Sequence, residues 1–220
     1  MRHASLLVCG LVFALAVFGG AAPVSAEAAT VRFQGQEAAA FLLFVQPGAT
    51  EGALVITEVA VIALSGKVQV SGGAPGSGAI ALVLVTQAEV IGLTSTLLFL
   101  FIGILEITPV TFDTSFPEVP TSASLSGMVP GFDLVSGAPT AVTLAAIWSG
   151  SGTPVHVNAM SRVTTDGIVV LTRANGFVRP IVTVLASVTG TPVPIAGPLF
   201  PGFLGGTFLG SFNSGSVAVF

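Results

Sequence analysis

The chain opens with an unbroken apolar run from Leu6 to Phe18, and after it apolar residues come in short stretches, several of which alternate with polar ones at a period of two. The alternation is clearest from Thr140 to Trp148, where Val142, Leu144, Ala146 and Trp148 share one face and Thr143 lies on the other. That period belongs to a strand with one buried side. In the next stretch, Pro154–Val163, Val155, Val157 and Ala159 fall on one face, and His156, Asn158, Met160 and Arg162 on the opposite, wet one. Further strands are predicted over Thr30–Gln34, Ala39–Val45, Ala53–Leu64, Lys67–Val70, Ala79–Thr86, Thr94–Glu106, Ser122–Met128, Ile168–Ala174, Ile181–Val188, Gly206–Phe212 and Ser216–Phe220.

Turn signals separate these stretches: Gln46-Pro47-Gly48, Ser71–Gly78, Ser149–Pro154, Asp166-Gly167 and Asn175-Gly176. The last two are type I′ hairpin signatures, because Asn, Asp and Gly tolerate positive φ. Pro109–Pro120 and Gly190–Gly205 carry proline every few residues and are predicted to be irregular loops. Val90–Leu105 is apolar almost throughout. It lacks flanking Lys or Arg and contains β-branched residues and glycine, which favours a buried strand, broken near Gly92-Leu93-Thr94, over a membrane helix. Many short strands without helical periodicity predict an all-β fold, an antiparallel, jelly-roll-like β-sandwich.

The N-terminus has a different logic. Met1-Arg2-His3 is a basic start, Leu6–Phe18 an apolar run, and Gly19–Ala26 a small-residue stretch with Val24 and Ala26 at the −3 and −1 positions. At ~1.5 Å per residue the apolar run covers about 20 Å, short of the ~30 Å hydrocarbon core of a bilayer. A cleaved export signal is therefore predicted over residues 1–26, with 27–220 as a single β-sandwich domain, extracellular or periplasmic. The only cysteine, Cys9, lies inside the apolar run, so the remainder has no disulfide and depends on core packing.

Composition narrows the function classes. Charged residues are 7% of the chain and apolar ones 52%, against about 25% charged in ordinary domains. Such a chain is not disordered. Six Lys+Arg against ten Asp+Glu do not build a surface that tracks nucleic-acid phosphates. A single cysteine rules out a cysteine-based zinc site or a disulfide scaffold. His156 is the only histidine beyond the signal, and no G-x-S-x-G elbow or calcium loop occurs. Gly66-Lys67 lacks the upstream glycine of a phosphate loop. Asp113 and Glu118 are read as solvated loop carboxylates, and Glu58, Glu89, Glu106 and Asp133 stand far apart in sequence. No catalytic set, cofactor or metal is predicted. Trp148 shares its face with Val142, Leu144 and Ala146 and is predicted to be core rather than a sugar platform.

Three segments occur in a recognisable order: Val129-Pro130-Gly131-Phe132-Asp133-Leu134-Val135-Ser136-Gly137, then Trp148-Ser149-Gly150-Ser151-Gly152, then Asn175-Gly176-Phe177-Val178-Arg179-Pro180. Together they resemble the F-D-x-V-S-G … W-[ST]-G-x-G … N-G-x-x-R-P pattern of a group of uncharacterised exported bacterial β-rich proteins. The resemblance covers Ser122–Phe220 and implies an exported β domain with no assigned activity. Members often carry cysteines and histidines after the tryptophan turn, where this chain has only His156.

The expected function is that of an exported, non-enzymatic binding or structural protein. The alternatives are a small outer-membrane β-barrel, favoured by the apolar content and Phe220, and a secreted hydrolase without a known motif. The candidate site is basic. If Pro154–Val163 and Ile168–Ala174 pair through Asp166-Gly167, then His156, Asn158, Arg162 and Arg173 form one wet patch on an acidic protein. Arginine forks suit carboxylate and phosphate groups, so the expected partner is an anionic surface polymer or glycan. The plainer account is a solvated sheet face that guards an edge. Ala53–Leu64 and Thr94–Glu106 look apolar on both faces, which raises a homo-oligomer as a further expectation.

Overall fold

A computed structural model describes residues 29–70, 74, 76–106, 110–165, 168–197, 199–201 and 207–219. The strands are β1 (Ala29–Pro47), β2 (Ala53–Val70), β3 (Gly76–Ile91), β4 (Thr94–Glu106), β5 (Thr111–Phe112), β6 (Ser122–Asp133), β7 (Ala138–Ser151), β8 (Val155–Thr165), β9 (Ile168–Val178), β10 (Ile181–Thr189), β11 (Phe200–Pro201) and β12 (Phe208–Val219). They form one 12-stranded antiparallel sheet in the order β10-β7-β6-β4-β3-β2-β1-β12-β9-β8, with β11 against β1 and β5 against β6. The fold is all-β, antiparallel and sandwich-like, as the period-two pattern predicts.

Several boundaries differ from expectation. Thr30–Gln34 and Ala39–Val45 are parts of the continuous β1, and Ala53–Leu64 and Lys67–Val70 are parts of β2. Asn175-Gly176 is not a hairpin turn but lies inside β9, opposite Asn213 and Phe212 of β12. The β8–β9 hairpin does form: Thr165 pairs with Ile168, while Asp166 and Gly167 lie outside the described residues, as does the predicted signal, residues 1–26. Val90–Leu105 closes β3, turns at Gly92-Leu93 with Gly92 at φ 60°, and continues as β4. It is strand, not helix, but it is not buried throughout as predicted: Ile91–Leu97, around the turn, are exposed.

The single sheet becomes two layers at a corner between β4 and β6, which pair only over Phe101–Gly103 and Gly131–Asp133. A Cβ on Gly131 would lie 2.7 Å from Gly103 Cα, and one on Gly103 would lie 2.7 Å from Pro130 O. Only glycine lets the two backbones approach this closely. Asp133 fixes the turn beyond the corner, accepting from Ser136 Oγ at 2.5 Å, Val135 N at 3.0 Å and Leu100 N at 3.3 Å. These bonds, the Ser136 hydroxyl first, hold its carboxyl below the usual range.

Beyond the corner β6, β7 and β10 lie over the sheet that contains β1–β4. Val142, Leu144, Ala146 and Trp148 of β7 pack with Ala38, Ala40 and Leu42 of β1, Val59, Val61 and Ala63 of β2, and Ala81, Val83 and Val85 of β3. Trp148 is fully buried, and its indole Nε1 donates to Ala39 O at 3.0 Å. That carbonyl sits where β12 leaves β1, after Ala39↔Phe208, and before β11 joins at Leu42↔Pro201. The indole thus satisfies a buried acceptor at a break in the ladder.

The far end of the core is closed by a strap over residues 190–197. Gln87, buried among apolar neighbours, donates to Val193 O at 2.7 Å and accepts from Val193 N at 3.1 Å. Gln46 does the same with Pro194 O at 2.9 Å and Ala196 N at 3.2 Å. Each side-chain amide pairs with the strap as a neighbouring strand would.

On the opposite face of β1, Glu37 stands beside Leu64 and Gly210 by register, in line with the buried Phe33 and Ala39. Its Oε1 has no hydrogen-bond partner among the described residues. Burial pushes its pKa up from 4.5 to about 8.

Two predictions follow from this packing. Trp148→Phe, which leaves Ala39 O unpaired and the core underfilled, is expected to cost about 1–3 kcal/mol in urea denaturation. For Glu37 the folded chain keeps a proton that the unfolded chain releases above pH 4.5. Stability is therefore expected to fall as pH rises from there towards about 8, at up to ~1.4 kcal/mol per unit. Thermal melts across this window check it: Glu37→Gln should flatten the slope, and an unchanged slope in that variant contradicts the assignment.

Candidate functional site

The inward face of the large sheet changes character along its strands. On β1 it runs Leu42, Ala40, Ala38 under the second layer, then Gln36, Gln34 and Arg32. On β2 it runs Val59, Val61, Ala63, then Ser65, Lys67 and Gln69, and on β12 Leu209, then Ser211 and Asn213. Side chains two apart share a face, so each strand presents core at one end and polar groups at the other. The polar ends reach past the cover of β6, β7 and β10, and β8 and β9 join the sheet there.

The register sets these groups abreast. One row is Asn158, Asn175, Asn213, Gln34, Lys67 and Ser77, across β8, β9, β12, β1, β2 and β3. The row beside it reads His156, Phe177, Ser211, Gln36 and Ser65, and the row on its other side Met160, Arg173, Gly215, Arg32 and Gln69. At ~4.8 Å between strands, the central row is about 24 Å long. All of its residues are exposed.

At the β1–β2 end of these rows the 110–116 segment overhangs the sheet and encloses a cleft of about 630 Å³. Gln34, Lys67, Ser65, Thr114 and Phe116 are among its lining residues. Gln36, buried at its back, donates to Thr114 Oγ1 at 3.0 Å and to Glu118 O at 3.1 Å, which ties the overhang to β1. Asp113 braces the same segment by accepting from Thr121 N at 2.9 Å and from the Thr121 hydroxyl. Partial burial pushes its carboxyl up, but the bonds from Thr121 and Ser122 outweigh this and hold it below its usual value. The cleft combines amides, hydroxyls, one ammonium and two phenyl rings, Phe112 and the more exposed Phe116. Its size is that of a small-ligand site.

The predicted site residues fall on this face. His156 Nε2 donates to Asn175 Oδ1 at 2.6 Å, and its ring meets Phe177 edge-on at a centroid distance of 5.2 Å. Asn158 lies opposite Asn175, and Arg173, exposed and without an ion pair among the described residues, lies opposite Met160. Arg162 is placed on the same face by its pairing with Leu171; its side chain lies outside the described residues. Sequence reasoning missed the other half of the surface: Arg32, Gln34, Lys67 and Asn213. The signal was present, since the alternate positions of β1 change from Ala and Leu to Gln and Arg with only Gly35, and no proline or turn cluster, in the stretch.

Arg179, which lies close to the candidate arginines in sequence, does something else. Its guanidinium donates to Gly152 O at 2.7 Å, Val119 O at 3.0 Å and Pro120 O at 3.2 Å. Its stem lies against Gly150, where an added Cβ would come within 3.1 Å of Arg179 Cγ, and Pro180 packs on Gly152. The Trp148–Gly152 and Asn175–Pro180 segments therefore meet in space, and Arg179 ties them to the end of the 110–120 loop. No family model matches the sequence, and the chain has no significant match among curated proteins or solved structures.

Arg179→Ala removes donors to three carbonyls and is expected to cost about 1–3 kcal/mol of stability. Arg173→Ala on the open face should change stability by less than about 0.5 kcal/mol. Urea titrations of the two variants side by side check the distinction.

Proposed function

We propose that this is an exported, non-enzymatic β-sandwich protein that holds an extended anionic polymer or glycan across its uncovered polar sheet face. The observation that carries the proposal is the distribution of charge on that face. Arg32, Lys67 and Arg173 all point from it, Arg162 joins them by register, and no strand position of the face beyond the second layer holds Asp or Glu. On a chain with net charge −4, gathering the cations on one face favours an anionic ligand. Asn and Gln side chains between them offer donors and acceptors to hydroxyls, and the length of the central row suits several residues of an extended polymer. The cleft would take one unit of it, with Lys67 facing an acidic group and Phe116 a sugar face.

A binding role suits His156, whose ring is held on the open face by Asn175 Oδ1 and by the edge-on Phe177. Export rests on the order of basic, apolar and small residues over 1–26.

The test is binding to an acidic polysaccharide, with an uncharged one as control, at low and high salt. Wild type should bind the acidic polymer, more weakly as salt rises. Arg162→Ala/Arg173→Ala should bind about tenfold more weakly, and Arg32→Ala/Lys67→Ala likewise. If both double variants bind as well as wild type, the face is only a solvated sheet surface.

A further inference from the structure

The sheet ends at β8 on one side and at β10 on the other. β10 reads Ile-Val-Thr-Val-Leu-Ala-Ser-Val-Thr from Ile181 to Thr189, without charge, proline or glycine. It pairs with β7 from Ile181↔Ser151 to Thr189↔Thr143 with no shift of register, so it carries no bulge. Along its other edge it pairs with nothing among the described residues, although its start lies near β12, where Arg179 N donates to Leu209 O. Proteins commonly protect such an edge with a charge, a proline, a bulge or a covering segment. β8, the opposite edge, carries Arg162 and His156. Among the described residues β10 has no such device, and its central outward residue, Leu185, is 76% exposed beside Ile147 at 54%.

The strand is also close to a chemical palindrome about Leu185. An antiparallel copy centred there sets Leu185 against the partner's Leu185, Val184 against the partner's Ala186, Thr183 against the partner's Ser187, and Val182 against the partner's Val188. These four pairs match, aliphatic with aliphatic on both faces and hydroxyl with hydroxyl outside; the end pair, Ile181 against the partner's Thr189, is the one that does not. Cross-strand pairs of these kinds are the favourable ones. Self-complementarity about a point is what a two-fold interface requires and what an unrelated partner strand does not. We infer that β10 is a dimerisation edge: two copies pair antiparallel at Leu185 and join their second layers into one continuous sheet, β6-β7-β10 running on into the same strands of the partner in reverse order. The pairing involves neither the polar face nor its cations, so it stands apart from the polymer-binding proposal.

Sedimentation equilibrium of the full chain over about 1–100 µM tests this. Wild type is expected to dimerise within that range. Leu185→Lys puts two ammonium groups abreast at the axis and is expected to weaken dimerisation at least tenfold with an unchanged circular dichroism spectrum, since Leu185 is exposed in the single chain. Ser187→Lys, further along the same exposed face, should act alike and covers the case in which Leu185→Lys fails to fold. Met128→Lys, exposed on β6 away from the edge, should dimerise as wild type does. A wild type that stays monomeric throughout overturns the inference. So does a folded Leu185→Lys or Ser187→Lys chain that remains as dimeric as wild type.

Discussion

A sheet this wide has to bury one face against itself, and the corner at Gly103 and Gly131 is what allows it. There the backbones of β4 and β6 come so close that a side chain on either glycine would overlap the other strand. Because the two strands share only that short contact, β6 leaves the plane and brings β7 and β10 back over β1–β4. The second layer of the main core depends on this turn: the alternating apolar face of β7, the burial of Trp148, and the indole bond to the Ala39 carbonyl.

The second layer is smaller than the first, and the site follows from that mismatch. β1 and β2 run for 19 and 18 residues, and the cover ends partway along them. An inward face pays for apolar side chains only where something lies on it. Under the cover it is Ala, Val and Leu; beyond it, Gln, Asn, Ser, Lys and Arg. The polar rows are thus the uncovered continuation of the same strand faces that build the core, held in register by the same ladders. Rigid strands fix the spacing of the amides and cations, and the overhang from 110 to 120 closes one end of the rows into a cleft, held by Gln36, Asp113 and Arg179.

Much of this arrangement is legible in the sequence, and the misses have one cause. Period two locates the strands, the alternation over Val142–Trp148 identifies the face that becomes fully buried, and the β8–β9 pairing that gathers His156, Asn158 and Arg173 is predicted from the hairpin signal. Pattern reasoning divides β1 near residues 35–38 and β2 near Ser65-Gly66, because there the face stops being apolar. There the change of polarity marks the end of the layer above, not the end of the strand. Arg32, Lys67 and Asn213 were lost with it, since only the register of distant strands places them beside Asn158 and Arg173. Asn175-Gly176 misled for a related reason: its glycine answers the close approach of Ser211 O and the Phe212 ring, not a turn. The segments Val129–Gly137, Trp148–Gly152 and Asn175–Pro180 each carry part of the architecture. Asp133 and Ser136 hold a turn, Trp148 seals the core, and Arg179 clasps the Gly150–Gly152 bend.

We propose the uncovered rows as the binding surface, and side-chain amides report on it directly. In an NMR titration with a soluble acidic oligosaccharide, the NH₂ signals of Asn158, Asn175, Asn213 and Gln34 are predicted to shift in a saturable way. Those of Gln46 and Gln87, bound to the strap at the other end of the core, should stay where they are. Shifts at Gln46 and Gln87 with an unperturbed Asn158-to-Gln34 row would contradict the account.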